Sequence, residues 1–253
     1  MGFLDLFGRK SGPGALRKQA QKVTEKFGPP ENRQKVIQQL AEMGTPEALS
    51  VLCLRFTIRA DPGITDDEEK ENVRLILVEA GEKAVGPVKE FLEHQEAGVS
   101  WGLRVLTSLT SPEDVVATTL RLLYRLGREY TRDPGKKLVL LSWLAEHHGD
   151  LTHAAGAGAP SPDEAVLPLL EDFADDVRIS TVRLLARQPL TERTREALLA
   201  LLERDKDNAR VRGEVLQALS ELGADVKGHR PTVEALLVEP YFLDRDGHVK
   251  RRG

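Results

Sequence analysis

The feature that most constrains this chain is a frame that returns along it. A basic residue is followed three places on by an apolar one, four places later by leucine, and four places later again by a helix breaker. Arg33, Val36, Leu40 and Gly44 set the frame, and Lys70, Val73, Leu77 and Gly81 repeat it. It returns as Lys137, Leu140, Leu144 and His148, as Arg178, Thr181, Leu185 and Pro189, and as Arg212, Val215, Leu219 and Gly223. A degraded copy keeps Leu106 and Thr110, with Val99 and Gly102 in the other slots. The leucine column advances by 37, 29, 38, 41 and 34 residues, a period that suits one pair of helices.

Three further stretches repeat one another: "GTPEALSVLCLRF", "TSPEDVVATTLRLL" and "PSPDEAVLPLLEDF". Each places Thr45, Ser111 or Ser161 before a proline and acids. The hydroxyl caps free backbone N–H groups, the proline needs no partner in the first turn, and the acids meet the positive helix end. Helices are therefore expected to begin at Pro46, Pro112 and Pro162. Ser161 with Glu164, and Thr65 with Glu68, fit a reciprocal capping box. Apolar spacings of three and four on both sides of each breaker describe antiparallel helices joined by short turns, and such pairs bury one face by stacking. The expected fold is all-α, a right-handed α-solenoid of about six antiparallel helix pairs.

The segments "DDVRISTVRLLARQPL" and "NARVRGEVLQALSELG" resemble the HEAT repeat, in which an acid, a Val-Arg pair and spaced aliphatics mark the first helix of each unit. The resemblance spans about residues 31–239. It implies a solenoid spanning 15–239, with an insertion at 149–161, an amphipathic segment and linker at 1–14, and a basic tail or cap at 240–253. In HEAT-like units the basic column bonds acids or carbonyls of neighbouring units. The resemblance therefore implies a structural ladder at Arg33, Lys70, Lys137, Arg178 and Arg212, with Asp176 and Asp207 as acid partners.

Composition suits this fold. Leu, Val and Ala must pack the core of a 253-residue chain with seven Phe, three Tyr and two Trp. No apolar run approaches the ~20 residues of a membrane span. The start "MGFLDLFGRK" lacks a signal-peptide core, and the single Cys53 shares a helical face with Leu49, Leu52 and Phe56, so a buried thiol in a cytoplasmic protein is expected. The "MGFLDLF" segment itself is open to three readings: a cap on the first repeat, a docking peptide, or weak peripheral contact with a membrane. At the other end, Asp246 and Gly247 suit a turn between short extended arms, expected to act as a solvated cap.

Charge narrows the function. A formal net charge of -4 disfavours a general nucleic-acid binder. Residues 61–96 hold eleven acids and four basic residues, whereas 121–137 hold six basic residues and two acids. Alternating patches suit a specific protein partner. "EHHGDLTH" brings Glu146, His147, His148, Asp150 and His153 close in sequence. Adjacent histidines on a helix point about 100 degrees apart, so a solvated helix end is expected rather than a metal site. Helical-repeat hydroxylases of the HEAT superfamily use paired His-Glu dipeptides, and none occurs here. Alkylpurine DNA glycosylases of similar build use a Trp, Asp and Arg pocket in a basic groove. Trp101 and Trp143 are expected to pack instead. Bilin-lyase-like HEAT proteins are the other enzymatic alternative, with no residue here marking a chromophore site.

The reading drawn from these features is a non-catalytic scaffold or adaptor, without metal, cofactor or catalytic residues, that binds another protein with an acidic surface along the concave face. The candidate contact residues are Arg121, Tyr124, Arg125 and Arg128. At 100 degrees per residue they share one side of the helix that opens at Pro112, opposite Val115, Leu122, Leu123 and Leu126.

Overall fold

The structure, a computed structural model, describes residues 13–60, 63–147, 151 and 159–252. The N-terminal segment, His148, Asp150, His153 and most of the 149–161 insertion lie outside the described residues. The fold is an all-α solenoid type, a succession of packed helices closed by one short hairpin. It divides into two compact units, 1–115 and 116–253.

In the first unit the helices are α1 (Pro13–Val23), α2 (Pro30–Met43), α3 (Pro46–Cys53), α4 (Gly63–Glu79), α5 (Glu82–His94) and α6 (Val99–Leu109), followed by the start of α7 (Pro112–Leu126). A 3₁₀ turn, Leu54–Thr57, extends α3. Helices α2, α4 and α6 pack in sequence as one layer, while α3 packs on α1, α2 and α5. In the second unit α8 (Gly135–His147), α10 (Asp175–Leu185) and α12 (Ala209–Glu221) form one layer. Beside it run α9 (Pro162–Val166) with its 3₁₀ continuation to Glu171, α11 (Glu192–Arg204) and α13 (Arg230–Leu236).

The leucine column of the frame lies in the core. Leu40, Leu77, Leu106, Leu144, Leu185 and Leu219 are all buried. Thr181, in an apolar slot, is buried with its hydroxyl donating to the Val177 carbonyl at 2.8 Å, so its polar atom is satisfied within the helix. The three repeated openings are helix starts. Thr45 Oγ1 accepts from Ala48 N, Ser111 Oγ from Asp114 N, and Ser161 with Glu164 forms the full capping box. Thr65 does not cap a helix. α4 already begins at Gly63, which places Thr65 inside its first turn.

One close approach explains a glycine. Gly98 starts α6 with φ 77°, and a Cβ there would stand 2.6 Å from the Phe56 carbonyl oxygen, so no larger residue fits. At the C-terminus β1 (Tyr241–Leu243) pairs antiparallel with β2 (Val249–Arg251) around Gly247. The hairpin is not merely solvated, because Val249 is fully buried and β2 packs on α12. No helix among the described residues is long and apolar enough to cross a membrane.

Candidate functional site

The candidate face lies on α7 within the second unit. Val115, Leu122, Leu123 and Leu126 are buried, as the helical spacing requires. Arg121, Tyr124 and Arg128 are exposed and Arg125 is half-buried. α7 ends at Leu126, with Gly127 N donating to the Leu123 carbonyl, yet Arg128 is not carried away from the face. Its guanidinium lies 3.5 Å from the centre of the Tyr124 ring and donates to the Tyr124 carbonyl at 2.8 Å. A longer contact of 3.5 Å reaches the Glu164 carbonyl. Arg121 donates to Thr118 Oγ1 at 3.3 Å. The Glu164 carboxylate is held below the usual carboxylate range, first by its cap bonds to Ser161 and to a lesser degree by nearby Arg193 and Arg128.

The expected ladder forms in part: Arg33, Lys137 and Arg178 reach acids of another helix pair, whereas Lys70 bonds Asp66 of its own helix, and the acids differ from those expected. Lys137 Nζ meets Asp172 at 2.6 Å. Arg178 meets Asp175 at 2.6 Å, and its Nε lies 2.8 Å from Asp205 Oδ2, too bent for a hydrogen bond. Asp176 pairs instead with Arg210 at the surface, and Arg212 donates to the Lys206 carbonyl. A helical pattern shows which residue starts the ladder. The neighbouring loop decides which oxygen arrives.

Sequence reasoning missed a buried ionic network in the first unit. Glu69 accepts from Arg33 Nε at 2.9 Å and Nη2 at 3.1 Å, and from Arg55 Nε at 2.9 Å. Arg55 Nη2 also donates to Asp66 at 2.6 Å, and Lys70 Nζ reaches the other Asp66 oxygen at 2.7 Å. None of these five side chains is more than 10% exposed. Burial pushes the Asp66 carboxyl up, but hydrogen bonds from Lys70, the Ala60 N–H and Arg55 outweigh it and hold the group below the usual carboxylate range. The readable signal was Arg55, a lone cation inside the apolar run "VLCLRFTI". It was invisible to the frame because it sits on a 3₁₀ turn. Beside the network, α2 and α4 border a cleft of about 490 Å³ whose walls include Gln34, Gln38, Glu68, Glu69 and Asn72.

Both tryptophans pack, as expected. Trp101 stacks on Phe56 at 5.7 Å and 6°, with the Arg104 guanidinium 5.0 Å from its ring. Trp143 stacks on His147 at 4.0 Å, and His147 Nδ1 lies 3.1 Å from the Trp143 carbonyl. Among the described residues no group of three or more His, Cys, Asp or Glu is placed to hold a metal ion. Cys53 is fully buried, and burial pushes its thiol far up, which leaves it unreactive.

Residues 164–248 match the family model for HEAT repeats. That segment is built of HEAT repeats. The HEAT segment begins inside α9, includes every helix through α13 and β1, and stops just before β2. No curated protein matches the chain. Among solved structures, human deoxyhypusine hydroxylase in complex with glycerol is similar, with 14% identity over 88% of this chain and 92% of that one, and a TM-score of 0.33. A likeness this distant assigns no activity. The expectation of a non-catalytic scaffold or adaptor is withdrawn. HEAT-like helix pairs do not by themselves tell a catalyst from a binding protein.

Proposed function

We propose that the protein recognises an acidic surface of another protein through the side of α7 that carries Arg121, Tyr124, Arg125 and Arg128, and that it does so in the cytoplasm. The observation that carries this reading is the Arg128 guanidinium resting on the exposed Tyr124 ring, 3.5 Å from its centre. An arginine already held on an aromatic face gives up little freedom when it meets a carboxylate, and its flat fork can bind one bidentately. Arg121 lies less than one helical turn before Tyr124, and both it and Arg128 donate to neutral oxygens. The acidic net charge of the whole chain supports a bounded patch rather than a polyanion track.

The test uses a fluorescein-labelled peptide of about ten Glu and Asp residues, titrated with the full chain and read by anisotropy. Binding is expected, weakening as salt shortens the screening length from about 10 Å at 0.1 M. The double variant Arg121→Glu, Arg125→Glu should lose about tenfold or more in affinity, the result of reversing two rim charges. Its circular dichroism melt should match that of the parent. A folded double variant that binds as well as the parent would overturn the reading.

A further inference from the structure

Two residues beyond Arg128 the chain leaves an aromatic side chain almost wholly in water. Tyr130 is 82% exposed, and the residue it touches, Phe173, is 55% exposed. Their ring centres lie 5.5 Å apart at 32°, in the range of an attractive aromatic pair. Large aromatic side chains normally bury most of their surface, so a pair this exposed leaves an apolar patch uncovered.

The backbone that carries Phe173 is also held in place. Asp172, immediately before Phe173, is locked by Lys137 at 2.6 Å in a pair whose side chains are 4% and 5% exposed. Its other oxygen accepts from Ala174 N at 2.9 Å, and its carbonyl accepts from Arg178. The backbone on both sides of Phe173 is therefore fixed by bonds that do not involve its ring. A ring held this way is preorganised for contact.

Charge around the patch selects its occupant. Arg121, Arg128 and Arg132 are exposed and Arg125 is half-buried, against Glu129 and Asp133 in the same stretch. Asp133 turns one oxygen to Gly135 N at 2.8 Å. On the Phe173 side Asp172 is committed to Lys137, Asp175 to Arg178 and Asp176 to Arg210, which leaves exposed Glu171 with Glu129 against the four arginines. Positive charge is thus what the region offers an incoming chain. The Cα atoms of Arg128 and Tyr130 are at most about 7.6 Å apart, because two trans peptide steps reach no further, so patch and arginine face are neighbours.

We propose that the partner segment is an acidic peptide carrying one aromatic side chain, which seats on the Tyr130–Phe173 pair while its carboxylates meet the arginines of α7. This rests on the reading of α7 as the acidic-partner face, and adds to it the requirement for an aromatic anchor.

The experiment compares two labelled peptides of about ten residues, one of Glu and Asp with a single central Phe and one with Ala in its place. The Phe peptide should bind the full chain about tenfold more tightly, as expected of a central aromatic anchor. Phe173→Ala and, separately, Tyr130→Ala should remove that preference while leaving the Ala peptide and the melting curve unchanged. Arg121→Glu with Arg125→Glu should weaken both peptides. Equal binding of the two peptides by the parent, or a Phe preference that survives both aromatic variants, overturns the anchor and leaves the arginine face standing. Binding of neither peptide overturns both.

Discussion

In the first unit Arg33, Arg55 and Lys70 share Asp66 and Glu69 in one buried network, whereas in the second Lys137 takes Asp172 and Arg178 takes Asp175 and Asp205. The same basic column enters both. The difference lies in how many fully buried charges depend on one carboxylate, since the second arginine on Asp205, Arg204, is 44% exposed. Glu69 serves two arginines that are at most 1% exposed, so its loss would leave Arg33 buried without a carboxylate and Arg55 sharing Asp66 with Lys70. Loss of Asp205 leaves Arg178 with Asp175 and with the Asp172 carbonyl. A shared acid makes damage spread. Separate acids keep it local.

Each unit carries one tryptophan, Trp101 in the first and Trp143 in the second, so the contrast can be read unit by unit. Trp143→Phe leaves Trp101 to report on the first unit, and the indole N–H it removes has no hydrogen-bond partner among the described residues. In that background Glu69→Leu should cost about 3–5 kcal/mol of stability in urea unfolding, the penalty for stranding buried charge. Asp205→Asn, followed at Trp143 in a Trp101→Phe chain, should cost about 1–3 kcal/mol, the penalty for taking one charge partner from a largely buried cation. Equal losses would break the distinction between shared and separate acids.

Acid sharpens the same contrast by a smaller amount. The Asp66 carboxyl titrates below its unfolded value, so its contribution is complete above the unfolded range and is lost as pH falls through the folded one. Acid titration followed at Trp101 should show the first unit weakening as Asp66 protonates. Asp66→Asn should start less stable and show a flatter acid limb. An unchanged limb in that variant would remove Asp66 from the acid response.

The smallest effect belongs to the surface. Arg183 and Glu214 form a 2.8 Å pair in the second unit, with the arginine side chain 61% exposed. Arg183→Ala should change stability by no more than about 0.5 kcal/mol, as exposed pairs do. A loss comparable to that of Glu69→Leu would show that the second unit also depends on shared charge.

What the sequence by itself determined is what depends on near neighbours along the chain. The buried leucine column follows from spacings of three and four, and the caps at Thr45, Ser111 and Ser161 need only a backbone N–H three residues away. Burial of Cys53 and the two-sided character of α7 come from the same helical periodicity. Thr65 shows the limit, because a capping pattern also occurs inside a helix that begins two residues earlier. Tertiary structure decided the pairings across 30 or more residues: Arg33 with Glu69, Lys137 with Asp172, Tyr130 with Phe173. Those depend on the offset with which one helix pair lies on the next and on the path of each connecting turn. A shift of one residue in a turn changes which acid arrives and leaves the hydrophobic pattern intact. For that reason the helices could be read from the sequence, while the ionic network around Glu69 and the exposed aromatic pair could not.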